Sequence, residues 1–404
     1  MGIIVGLGDS HFWEGSPRFA ECLRIHRWIA EWIAEHKPDL VVHGGDIYER
    51  NSDPDARNSG NDWAISVADE APLLIVRGNH DAPRDLLGYE KLRAKHRIRV
   101  VESAGVKHLR TDSGTAIAIA AMAWPRREYV AALCGLSGKE TVEQTAQALL
   151  RQALTGLGSE LREHWSGVPK LFVGHVMVRG SQTSVGSELV GTDMELGLDD
   201  LGLVGADAYH LSHVHMHQAF SVGGAPALYP GAPFRSTFGE IEPKGFVVYH
   251  HDGKRITGWE FIETPATPQV LVYAEWSDVT VGTGGEPEPA GFGWQDLQHE
   301  TPGEWARGAE VRFRYAVEYD QRAAAKNAER SYVAQLREAG AVSIKVEDRV
   351  VQRTRARAPE IGHARTLVEK LEAHWRSSGF DPGDRRESLL RKLGQLEEED
   401  RNAA

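Results

Sequence analysis

Apolar residues gather near the N-terminus into short continuous runs, separated by longer amphipathic stretches. Ile3 to Leu7 is one run, Leu40 to Val42 a second and Leu73 to Val76 a third. Runs this short predict strands buried on both faces. Residues 18–36 place Phe19, Leu23, Ile25, Trp28, Ile29, Trp32 and Ile33 on one broad helical face, and Pro38 stops the helix. Between the second and third strands one short helix, 61–69, is evident. The order β-α-β-α-β predicts a parallel sheet with helices packed on it, an α/β fold.

The middle of the chain is less regular. Ala116 to Ala121, Leu171 to Val173 and Tyr209 to His217 read as strands, and 140–164 as a helix ending before Gly167 and Pro169. Short β-rich runs fill 225–251, and the Gly/Pro-dense stretch 281–303 reads as a surface loop. A different unit starts near Pro265 and Pro268: strands in QVLVYAEW and AEVRFRYAVEY, a helix over 320–339 and a strand in AVSIKVE. The polar C-terminal stretch carries Leu367, Leu371 and Trp375, then Leu389, Leu390, Leu393 and Leu396, at helical spacing. Such a helix pair has a narrow apolar face, fit either to dock on a partner or to fold back on its own domain. The expected domains are 1–265, 266–350 and 351–404, an acceptable number for 404 residues at roughly 100–200 per domain. No internal repeat is visible.

Composition narrows this. Hydrophobic residues are 41% and charged residues 26%, as in ordinary globular proteins. No stretch approaches the roughly 20 apolar residues of a membrane helix, and MGIIVGLGDSHF lacks the basic and apolar regions of a secretory signal. Two cysteines, Cys22 and Cys134, exclude a disulfide scaffold and a cysteine-rich zinc site. The expectation is a cytoplasmic protein with no membrane association. A net charge of −12 argues against a general nucleic-acid coat. The charge is uneven: from Arg307 onward 20 Lys+Arg face 17 Asp+Glu. Arg349, Arg353, Arg355 and Arg357 form a basic strip in that tail, equally readable as a solvated linker.

The chemistry sits at predicted strand ends. Asp9-Ser10-His11 follows the first strand, Gly45-Asp46 the second and Gly78-Asn79-His80-Asp81 the third. Gly174-His175 and His213-Val214-His215 come later. Open α/β sheets bind ligands at the carboxyl ends of their strands, so these distant residues are expected to meet. Each piece alone is commonplace, and His-x-His places two imidazoles on one strand face. Together, Asp9, His11, Asp46, Asn79, His175, His213 and His215 form an imidazole and carboxylate set without thiolate. That mixture suits Mn²⁺, Fe²⁺ or Zn²⁺ rather than Ca²⁺. Seven candidates exceed the needs of one tetrahedral ion, so two ions sharing a carboxylate is the economical arrangement. Gly6-Leu7-Gly8 is not a dinucleotide fingerprint, because His11 stands where the third glycine belongs.

The series D-x-H, G-D, G-N-H-D, G-H and H-x-H resembles the calcineurin-like metallophosphoesterases. Within them, GGDIYE, VRGNHDAPRDL, ADAYHLSHVHMHQ and ALYPGAPFRSTFGE look most like the SbcD nucleases. The resemblance is strong over about 1–250 and weak beyond. It implies a β-sandwich flanked by helices, a smaller α+β capping domain and C-terminal helices. It implies Asp9, His11 and His215 on one metal, Asn79, His175 and His213 on the other, and Asp46 between them. His80 would protonate the leaving oxygen, and Asp81 would hydrogen-bond His80. The implied activity is Mn²⁺-dependent exonucleolytic and endonucleolytic cleavage of DNA with an SbcC-type ATPase, in a possible homodimer. The alternatives are a small-molecule phosphodiesterase, a phosphoprotein phosphatase or a non-catalytic scaffold. Two departures stand out: Ser212 replaces the glycine of G-H-x-H, and Ala232 the serine of G-S-P. His217 reads as a rim residue rather than a ligand.

Overall fold

A computed structural model describes residues 1–49, 53–111, 114–126, 139–182, 194–238, 240–281, 287–351 and 366–403. In chain order the first strands are β1 Gly2–Leu7, β2 Leu40–His43, β3 Leu73–Val76, β4 Ile98–Val101, β5 Gly105–Arg110, β6 Ala116–Met122 and β7 Lys170–His175. Then come β8 Met177–Val178, β9 Glu195–Leu196, β10 Ala208–Ser212, β11 Gln218–Val222, β12 Ala225–Tyr229, β13 Gly245–His251 and β14 Ile256–Glu263. Two six-stranded sheets result, ordered β14-β13-β1-β2-β3-β4 and β11-β12-β10-β7-β6-β5. Strands β1 to β3 run parallel, as expected, β4 joins them in the same sense, and β13 closes on β1 antiparallel.

Alternation along the strands builds three core layers. In β1 to β3, Ile4, Leu40, Val42, Leu74 and Val76 face the second sheet and meet Ile117, Ile119, Leu171, Val173 and Leu228. Val5, Leu7, Val41, Leu73 and Ile75 face the other way. There they meet Cys22, Ile25, Ile29 and Ile33 of the helix Phe19–His36. The helix Lys139–His164 covers the outer face of the second sheet with Leu150, Leu154, Leu157 and Leu161. This is a helix-flanked β-sandwich, and burial on both faces explains the unbroken apolar runs.

The chain divides into two compact units. One comprises Met1–Tyr273, Trp294–Arg314 and Ser331–Glu347; the other Ala274–Gly293, Tyr315–Arg330 and Asp348–Ala404. A third sheet is built from β15 Gln269–Val281, β16 Pro287–Trp294, β17 Glu310–Glu318 and β18 Ser343–Val351, in the order β16-β15-β17-β18. Helices Leu367–Ser378 and Arg386–Ala403 follow, bridged by Arg386 and Glu372 at 2.6 Å. Ala373 and Trp375 are buried, while Leu367, Phe380, Leu389 and Leu396 are exposed. Among the described residues no helix is long and apolar enough to cross a membrane.

Three expectations change. The proposed loop 281–303 contains β16, an edge strand, where prolines without N–H groups are tolerated. The helix expected at 61–69 is Pro54–Ala68, because Asp53 caps it through the Ala56 amide at 2.8 Å and Pro54 opens it. The strand expected over 209–217 stops at Ser212, because His213 turns the backbone left-handed at φ 110°. His213 and His215 are therefore on a turn, not on one strand face. Cys134 and the strip residues Arg353, Arg355 and Arg357 lie outside the described residues. Arg349 is exposed on β18.

Candidate metal centre

The loops after β1 and β2 are stitched together by backbone hydrogen bonds: Asp9 N–H to Gly45 O at 2.9 Å and His11 N–H to Asp46 O at 3.0 Å. Asp9, His11, Asp46 and His213 all take positive φ, at 53°, 44°, 55° and 110°. Gly45 sits at φ 115°, and a Cβ there would fall 2.6 Å from His175 Nδ1. Only glycine allows both the turn and the approach. Ser212 fits where the resemblance predicts glycine because the bare Cα atoms of Gly8 and Gly44 lie beneath its hydroxyl.

Three groups of donor atoms converge, each within 4.8 Å: Asp9, His11 and His215; Asp46, His175 and His213; and His11, Glu49 and His80. The Nε2 atoms of His11 and His215 are 3.1 Å apart. Asn79 Oδ1 lies 2.8 Å from His175 Nε2 and 2.9 Å from His213 Nδ1. Asp46 Oδ2 lies 3.4 Å from His175 Nε2 within its own group and 3.8 Å from His11 Nε2 of the first. All seven sequence-derived candidates are thus brought together. His217 is turned away, its Nδ1 donating to Tyr229 O at 2.7 Å and its ring stacked on Phe261.

The donor set fits divalent cations. His175 Nδ1–H donates to Gly44 O at 3.0 Å, which leaves the Nε2 lone pair aimed at the cluster, as a metal ligand requires. Without cations the acids draw protons onto the imidazoles. Burial pulls the His11 pKa down, but Glu49, Asp46 and Asp9 outweigh it and push it up to about 9. Burial opposes the charge on Asp46 too, yet His175, His11 and His80 hold its carboxyl well below the usual range. His215 is pushed down to about 4, by burial and then by His11. The carboxylates around His11 supply the negative charge that a bound divalent cation would balance.

Asp81 does not hold His80. Its carboxylate accepts the backbone N–H groups of Asp46 (2.8 Å), Gly78 (2.9 Å) and Tyr48 (3.2 Å). It braces two loops against each other, and burial beside Asp46 pushes its pKa up to about 7. The residue that meets His80 is Glu49, whose Oε1 is 2.5 Å from His80 Nδ1. Its place three positions after Asp46 was the available signal. Trp124 carries no such signal in the sequence: it follows β6, and its ring lies 4.5 Å over that of His213.

A buried polar chain braces the first two loops. Ser10 Oγ lies 2.7 Å from His26 Nε2 and 2.8 Å from His43 Nε2. One assignment satisfies every atom: His26 Nδ1–H donates to Cys22 O, Ser10 O–H to His26 Nε2, His43 Nε2–H to Ser10 Oγ, and Gly45 N–H to His43 Nδ1. Both imidazoles are neutral in it. On the other flank Lys244, 1% exposed, donates to His215 O at 3.1 Å and pairs with Glu240 and Glu242 at 2.5 and 2.7 Å.

The family model for calcineurin-like phosphoesterases matches residues 3–215. The chain is 23% identical over 238 residues to the SbcD component of the SbcCD nuclease of Bacillus subtilis, covering 56% of this chain. The match spans 59% of that relative, less than two thirds of its length. Among solved structures, TT1561 of Thermus thermophilus is similar at 11% identity over 61% of this chain and 93% of its own, with a TM-score of 0.36. A dimetal phosphatase from Danio rerio is similar at 11% identity over 62% and 92%, with a TM-score of 0.39.

Proposed function

The chain belongs to the calcineurin-like phosphoesterases, metal-dependent hydrolases of phosphate esters, and on that premise we propose that it is a Mn²⁺-dependent DNA nuclease of the SbcD kind. The observation that carries the chemistry is the pairing of a converged Asp, Asn and His donor set with a histidine backed by a carboxylate. The SbcCD relative supports the choice of DNA as substrate.

In this reading Asp9, His11 and His215 would hold one ion, Asn79, His175 and His213 would hold a second, and Asp46 would contribute to both. Bound divalent ions supply Lewis acidity and neutralise phosphate charge. His80 donates a proton to the leaving oxygen, which matters because an alkoxide is a poor leaving group. Glu49 holds the His80 Nδ1 proton and leaves Nε2 to face the substrate. Asp81 keeps the Asp46 and Asn79 loops in register. Residues 1–265 form the hydrolase, 266–350 a cap, and 351–404 a docking region for an SbcC-type ATPase. The exposed leucines of the last two helices support that final assignment.

The test is cleavage of end-labelled duplex DNA by the purified chain in Mn²⁺, beside His80→Ala and a chelated sample. Cleavage lost in both, with metal content unchanged in His80→Ala, is expected. Hydrolysis of bis-p-nitrophenyl phosphate without DNA cleavage, alone or with the ATPase partner, would overturn the nuclease reading in favour of a small-molecule phosphodiesterase.

A further inference from the structure

Residues 91–99 alternate strictly between cations and other residues: Lys91, Arg93, Lys95, Arg97 and Arg99, with Leu92, Ala94, His96 and Ile98 between them. No acid interrupts the run, although the chain carries −12 overall. The fold enforces the alternation. Leu92, Ala94, Ile98 and Val100 pack into the core under the helix-covered face of the first sheet. All five cations are exposed, Arg99 on β4 and the others on the turn and coil that lead into it.

Among the described residues none of the five side chains makes an ion pair or a hydrogen bond. The neighbouring acids are engaged elsewhere: Glu90 accepts Val100 N–H, Asp69 accepts Lys95 N–H, and Glu102 pairs with Arg77 and the Arg84 amide. The run leads into β4, the outermost strand of its sheet. Since β3 and β4 are parallel, the run enters at the end of the sheet opposite the Gly78–Asp81 loop. Arg99 lies within β4 itself, beside Leu74 of β3.

We propose that these five cations form a second contact for nucleic acid, gripping the phosphodiester backbone without reading bases. The proposal rests on the nuclease reading and adds a site to it. Five exposed cations within nine residues, with no acid among them, concentrate positive charge that suits a polyanion. The strip contains no Trp, Tyr or Phe, so it lacks the aromatic anchors on which protein interfaces depend. Its binding energy would come from counterion release.

The test compares full-length protein with a variant carrying Lys91→Gln, Arg93→Gln, Lys95→Gln, Arg97→Gln and Arg99→Gln. Both are titrated in chelator against a short labelled duplex of arbitrary sequence, over a range of KCl concentrations. Each lost contact should lower the slope of log K against log salt by about 0.9. A slope reduced by about 3 or more, with at least about tenfold weaker binding near 0.1 M salt, is expected. Arg93→Lys, Arg97→Lys and Arg99→Lys together should retain wild-type binding, which separates charge from folding. Hydrolysis of bis-p-nitrophenyl phosphate in Mn²⁺ should be unchanged in both variants. Salt-dependent binding lost in the glutamine variant would support the strip even if DNA were never cleaved, so the two readings fail separately. An unchanged slope would overturn the proposal. So would self-association as the only change, which would mark the strip as a guard on an exposed strand edge.

Discussion

Glu49 Oε1 lies 2.5 Å from His80 Nδ1, while Asp81, next to His80 in sequence, spends its carboxylate on three backbone amides. The carboxylate that meets the proposed catalytic histidine therefore comes from the loop after β2. Removing it should cost turnover without removing metal. Glu49→Ala is expected to lower kcat for a diester by about 10–100-fold. Metal content should stay near wild type, and Glu49→Asp should recover part of the loss. Steady-state kinetics beside elemental analysis of the dialysed protein reads both. Loss of metal in Glu49→Ala would make Glu49 a ligand instead.

The Ser10 chain predicts an acid-sensitive fold. Burial pushes the His26 pKa down to about 4 from 6.5, and the chain is satisfied only with His26 neutral. Protonation is disfavoured in the folded state, so this stability is full above pH 6.5 and is lost as pH falls towards 4. The loss is on the order of 3 kcal/mol over that window. Denaturant melts at pH 7 and pH 4.5 should show it. Ser10→Ala should cost about 1–3 kcal/mol at pH 7, since it strands two imidazole nitrogens. Equal stability at the two pH values would refute the assignment.

Lys244 is buried between Glu240 and Glu242 and holds the carbonyl of His215. Lys244→Ala leaves two carboxylates without their counter-charge. The expected destabilisation is about 3–5 kcal/mol, read by guanidinium unfolding of the metal-free protein. Lys244→Met combined with Glu240→Gln and Glu242→Gln should recover much of it, because no buried charge then remains unpaired.

The sheet and its site were legible where one physical signal dominated. Apolar runs such as Leu73–Val76 admit one reading, and the strand-end rule then gathers Asp9, Asp46, Asn79 and His175 without further information. The signal failed where two rules competed. Gly/Pro density over 281–303 spoke for a loop, yet β16 forms at a sheet edge that forgives proline. His-x-His spoke for a strand, yet the left-handed His213 ends it. Adjacency suggested Asp81 for His80, but backbone amides claimed that carboxylate, and no pattern in the chain announces a competition for amides.

Asp9, His11, Asp46 and His213 share left-handed backbone, and Asp and His are among the few side chains that tolerate it. The residue types able to donate to a cation are also the ones the turns admit, so chemistry and chain geometry select the same letters. An alanine scan across these positions therefore removes a donor and strains a turn in one stroke. Asp9→Asn or Asp46→Asn removes the charge and one acceptor oxygen but keeps the turn, and glycine removes the whole side chain. Comparing the two at each position would divide what evolution had no occasion to separate.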